Sequence, residues 1–102
     1  MNRIESFIKQ FRDLGAENCF SNGMCYWFAS ILNNRFPGGE IVYDEVANHF
    51  GCEIGGQVYD ITGNVTNTYN WMPWLKFIYK DTALTKRVVR DCILKLPVVE
   101  ED

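Results

Sequence analysis

Cys25 stands in Gly23-Met24-Cys25-Tyr26-Trp27-Phe28, at the expected first turn of a helix. The chain's one histidine, His49, heads an expected hairpin that returns through Tyr59-Asp60-Ile61-Thr62-Gly63. A cysteine, a histidine and a carboxylate in that order are the parts of an activated thiol nucleophile. A free cysteine, with a pKa of about 8.5, is mostly thiol at neutral pH. A helix N-terminus and a neighbouring imidazolium both favour the thiolate. Cys25 has the first by position, and His49 is the candidate for the second. Asp60 then holds the imidazole in one tautomer and offsets its charge, while backbone N–H groups near Cys25 face a developing oxyanion.

The spacing of the hairpin makes this testable. Gly55-Gly56 suits a two-residue turn with positive φ at both positions. Residue 54 then pairs with 57, 51 with 60, and 49 with 62. Side chains alternate along a strand, so His49, Gly51, Val58 and Asp60 share one face. His49 and Asp60 are diagonal neighbours there, roughly 7–8 Å apart at the backbone and within side-chain reach. Phe50, Cys52, Ile54, Tyr59 and Ile61 fall on the other face and read as core. Gly51 leaves room for another element to approach the His49 face, and the Cys25 helix is expected to be that element.

The elements that carry these residues follow from periodicity. Ile4, Phe7, Ile8, Phe11 and Leu14 have helical spacing, which predicts a helix over 2–14 ended by Gly15. A loop over 15–23 leads to a helix over about 23–35, with Ser21 or Asn22 as N-cap and Arg35-Phe36-Pro37-Gly38-Gly39 as the stop. Ile41-Val42-Tyr43 is a strand, and Val46–Ile54 with Gln57–Thr62 form the hairpin. Residues 63–73 are polar and irregular. Trp74 to Tyr79 fits a strand or a helical turn. Asp81 or Thr82 caps a last helix that turns Leu84, Val88, Val89, Cys92, Ile93 and Leu96 inward until Pro97. The expected architecture is α+β: N-terminal helices packed on a small antiparallel sheet, followed by a C-terminal helix, as one domain over 1–102.

Composition narrows the function classes. The chain has 102 residues, 47% hydrophobic and 23% charged, with net charge −3. Fifteen aromatic residues supply a dense small core. Lys86, Arg87 and Arg90 are the one basic cluster, read as a solvated face, so no nucleic-acid partner is expected. No apolar run approaches the ~20 residues of a membrane span. Met1–Glu5 carries no hydrophobic signal segment, so the expected location is cytoplasmic and the four cysteines are read as thiols.

Gly23-Met24-Cys25-Tyr26-Trp27-Phe28 resembles the cysteine segment of papain-like cysteine peptidases. His49-Phe50 followed by Ile54-Gly55-Gly56-Gln57-Val58-Tyr59-Asp60-Ile61-Thr62 is similar to transglutaminase-like domains, which run from a histidine through a Gly turn to Asp-x-Thr. The likeness spans about residues 18–63 and implies a minimal member of that superfamily, with acyl-transfer chemistry on a peptide or another amide-bearing substrate. Papain-like enzymes carry an oxyanion-donating Gln six residues before the cysteine. Here that position is Cys19, and Asn18 and Asn22 are the substitute candidates. Tyr26, Trp71 and Trp74 are candidates to wall a substrate groove. No cofactor is implied.

Two other readings compete. A zinc module would use Cys19, Cys25, His49 and Cys52, but Cys19-x5-Cys25 is wider than the usual knuckle, and the register sends Cys52 to the face opposite His49. A catalytically inactive relative would keep the fold and bind a partner, consistent with the missing Gln and the short chain.

Overall fold

The computed structural model describes residues 2–15 and 24–94. Helix α1 spans Arg3–Asp13. Its N-cap is Asn2, whose side-chain oxygen accepts from the Glu5 N–H at 2.7 Å and satisfies one of the free amides of the first turn. Gly15 follows the helix with φ 79°. Helix α2 spans Cys25–Arg35 and begins without a side-chain cap. The expected caps Ser21 and Asn22 lie outside the described residues. Phe36 closes α2 by donating its N–H to the Leu32 carbonyl, and Pro37 and Gly38 turn the chain into the sheet.

Strands β1 (Glu40–Asp44), β2 (His49–Ile54), β3 (Gln57–Asp60), β4 (Gly63–Asn64) and β5 (Met72–Pro73) form an antiparallel sheet in the order β4-β3-β2-β1-β5. The β2–β3 register is the expected one: Ile54 faces Gln57, Glu53 faces Val58 and Cys52 faces Tyr59. Gly55 and Gly56 have φ of 60° and 82°, the conformation a type I′ turn needs at both positions. The hairpin is shorter at its open end than expected. Residues 45–48 form a turn rather than strand, with Asn48 at φ 51°. The 63–73 stretch also contributes two short edge strands.

After the sheet, α3 (Trp74–Lys80) resolves the ambiguity at 74–79 in favour of helix. Trp74 and Phe77 turn inward from it to the sheet. Asp81 caps α4 (Thr82–Val88), accepting from the Leu84 N–H at 2.9 Å. The expected single last helix widens to a π-helical stretch over Val89–Leu94. The indole N–H of Trp27 reaches across to donate to the Ile93 carbonyl at 2.9 Å. Leu96 and Pro97 lie outside the described residues, as does the side chain of Cys92.

Both sheet faces are covered. One carries the main core, where Phe28, Ala29 and Leu32 of α2 meet Phe50, Cys52, Tyr59 and Ile61, with Tyr43, Trp74 and Phe77 alongside. Edge-to-face contacts at ring separations of 5.4–5.5 Å, Phe7–Phe36 and Phe11–Phe28, tie α1 to α2 and its C-cap, and Phe7 meets Phe11 within α1 at 5.1 Å. The opposite face carries a smaller cluster of Val42, Val58 and Val65 under Tyr69 and Trp71. No helix is long and apolar enough to cross a membrane among the described residues.

The helix that carries Cys25 therefore packs on the Phe50 face, not on the His49 face as the sequence suggested. The large apolar side chains of β2 and β3 all point to the Phe50 side, and burying them is what draws in an apolar helix. The 65–71 segment takes the His49 face instead.

Candidate active site

Asp60 is buried at 5% exposure, the last residue of β3. Its carboxylate is held from two directions. Oδ1 accepts from the Thr62 N–H at 2.8 Å and the Thr62 hydroxyl at 2.6 Å. Oδ2 lies 2.7 Å from His49 Nε2. The diagonal placement on the hairpin thus brings the imidazole and carboxylate into direct contact. Burial disfavours the Asp60 charge, but the His49 and Thr62 hydrogen bonds outweigh it and hold the carboxyl below its usual value of 3.8.

Cys25 approaches from the other side of the ring. It is the first residue of α2, its side chain sits in the main core at 6% exposure, and its thiol hydrogen-bonds His49. With Nε2 engaged by Asp60, Nδ1 is the ring nitrogen left for the sulfur. His49 occupies the first position of its strand, so its ring can be met at the sheet's end by a helix packed on the opposite face. Burial pushes the Cys25 thiol up. The His49 hydrogen bond, the Phe50 N–H, the imidazolium charge and the Tyr26 N–H together bring it below 9.0. Burial also opposes charge on His49, yet the hydrogen bonds and charges of Asp60 and Cys25 raise it from 6.5 to about 9. Both directions favour the charged forms, a thiolate beside an imidazolium.

The ring faces are enclosed as well. His49 lies 5.0 Å from Tyr69 and 6.0 Å from Trp71 by ring centroids. Gly51 makes this approach possible: a Cβ there would stand 2.8 Å from Val58 Cγ1 and 3.1 Å from Trp71 Cη2. The close approach expected at Gly51 exists, made by Trp71 rather than by the Cys25 helix.

The groove candidates are not brought together. Tyr26 and Trp74 line a cleft of about 400 Å³ with Ile41, Glu40 and Leu75. Trp71 lies on the opposite face of the sheet and donates its indole N–H to the Val65 carbonyl at 3.1 Å. The oxyanion candidates Asn18 and Asn22, and Cys19 of the zinc reading, lie outside the described residues. Cys52 is fully buried in the main core, on the face away from His49, and burial pushes its thiol up to about 11.

Asp44 is a member of the site that the sequence reading missed. It is buried at 5% exposure and faces His49 directly across the β1–β2 ladder. Asp44 Oδ1 accepts from the N–H groups of Val46 at 2.8 Å and Ala47 at 3.1 Å, and Oδ2 from that of Asn70 at 3.0 Å. The signal was the short acidic turn after Tyr43, legible only once β1 is paired with β2.

Comparison with curated proteins and with solved structures gives no match to this chain. A family model described as Phage YunG-like protein matches residues 2–92. The chain belongs to the Phage YunG-like protein family.

Proposed function

We propose that the chain is a cysteine-dependent acyl-transfer hydrolase acting on an amide, with a peptide or amide-bearing protein as the substrate class. The observation that carries this reading is the chain of contacts from the Asp60 carboxylate, 2.7 Å from His49 Nε2, through the imidazole to a thiol at a helix N-terminus. The Cys25 thiolate attacks the carbonyl carbon, forming a C–S bond. The imidazolium of His49 gives its proton to the departing amine as the C–N bond breaks. Water then attacks the thioester carbonyl while His49 takes its proton, and the C–S bond breaks to release the acid and restore the thiolate beside the imidazolium. Asp60 keeps the ring oriented throughout and stays ionised. The Tyr26 N–H, at the uncapped start of α2, is a donor that could serve the oxyanion. The papain-like and transglutaminase-like resemblance of residues 18–63 agrees with this chemistry, and reduced thiols fit a cytoplasmic setting.

Iodoacetamide labelling followed by peptide mapping tests the proposal. Cys25 is expected to label selectively at pH 7, to lose that selectivity in His49→Ala, and to react far faster than Cys52. Equal labelling of the cysteines in folded protein sinks the reading and leaves a binding protein that keeps the fold.

A further inference from the structure

We propose that Asp44 is a positioning residue for His49, pinning the 69–71 segment against the imidazole and adding a second carboxylate beside it. The inference rests on the reading of Cys25, His49 and Asp60 as the reacting groups. Its grounds are geometric. Asp44 and His49 are direct partners in the ladder, so their side chains leave the same face of the sheet. The Asp44 carboxylate spends both oxygens on backbone N–H groups. One oxygen holds the turn that delivers His49, through Val46 and Ala47, and the other holds Asn70. Asn70 lies between Tyr69 and Trp71, the two rings packed on the imidazole. One buried side chain thus fixes both the entry of β2 and the wall over its first residue.

Among the described residues, the charged or titratable groups around His49 are Asp60 from β3, Cys25 from α2, Asp44 from β1 and the Tyr69 phenol from the covering segment. Asp60 and Cys25 take the two ring nitrogens. Asp44 takes neither, so it acts through charge and through the wall rather than by proton transfer. Its carboxyl lies below its usual value: burial opposes the charge, and the backbone hydrogen bonds and the His49 charge outweigh it.

The experiment is an NMR titration of the His49 ring in the full chain, unambiguous because the chain has one histidine. In Asp44→Asn, which keeps the side-chain shape, the His49 pKa is expected to fall, by less than in Asp60→Asn, with the pH profile of Cys25 alkylation moving in step. A folded Asp44→Asn protein with both profiles unchanged overturns the proposal, since a merely structural role lowers only the melting temperature. A wild-type measurement stands independently of that variant's folding. The Asn70 amide resonance is expected to follow the His49 titration, and an Asn70 amide that ignores it also overturns the proposal. Failure of wild-type Cys25 to label selectively refutes the hydrolase reading instead, and leaves the His49 titration intact as the test of Asp44.

Discussion

Replacing Asp60 by Asn removes one charge and one acceptor oxygen, so with Thr62 kept on the remaining oxygen the charge-assisted His49 contact is lost. The pair is well shielded, with side-chain exposures of 15% for His49 and 6% for Asp60. His49 is raised from 6.5 to about 9, which favours the protonated ring in the folded state by a few kcal/mol. Asp60 and Cys25 supply this together against the cost of burial, the Asp60 hydrogen bond being the largest favourable contribution. Asp60→Asn is therefore expected to lower the His49 pKa by about one unit or more and to cost on the order of 1–2 kcal/mol of stability at pH 7. The sign follows from linkage. A raised histidine pKa stabilises the fold fully below 6.5 and loses that contribution as pH rises through about 9, and Asp60 loses its charge in acid, so the difference between wild type and variant is largest between about pH 4 and 6.5 and closes on both sides. With a weaker imidazolium beside it, Cys25 keeps less thiolate, and alkylation at pH 7 slows by up to about tenfold. The assays are the His49 ring titration, urea unfolding at pH 7 and pH 10, and iodoacetamide rates. A variant whose His49 titrates where the wild type does would refute the electrostatic argument.

Two other perturbations follow from the same geometry. Gly51→Ala places a Cβ 2.8 Å from Val58 Cγ1, 3.1 Å from Trp71 Cη2 and 3.3 Å from the Tyr59 carbonyl oxygen. It should cost about 1–3 kcal/mol in urea unfolding and displace Trp71 from His49, visible as a change in Trp fluorescence; an unchanged midpoint contradicts the packing described. In acid, Asp44 and Asp60 both lie below their usual 3.8. Their contribution to stability is present above that value and is lost as pH falls through the folded pKa values, so Asp44→Asn and Asp60→Asn should each flatten the acid limb of the stability curve below about pH 4.

The hairpin was legible because its turn admits one geometry. Two adjacent glycines admit positive φ at both positions without strain, the two-residue turn they suit sets 54 against 57, and strand alternation carries the register out to His49 and Asp60. The side on which the Cys25 helix would pack was not legible. Alternation says which residues share a face, but both faces of β2 and β3 offer apolar groups, Phe50 and Tyr59 on one and Val58 on the other. Which face receives the helix depends on what the distant 65–71 segment does, and its polar residues give no periodic signal. Asp44 was hidden for a related reason, since its partners Val46, Ala47 and Asn70 are backbone amides, which leave no mark in residue type. The widening of the last helix at Val89 likewise has no local cue, its sequence continuing in helical spacing.

Cys25 belongs to one packing layer and His49 to the other, so their contact is a seam joined only at the sheet's end. A seam is present only while both layers are closed, and its lifetime is that of the weaker one. The layer over His49 is the thinner, three valines and two rings against the many aromatics packed around Phe50. Local opening beneath Trp71 would part the ring from the thiol without disturbing α2, so the polar 65–71 segment, rather than the large core, sets how long the Cys25–His49 contact lasts.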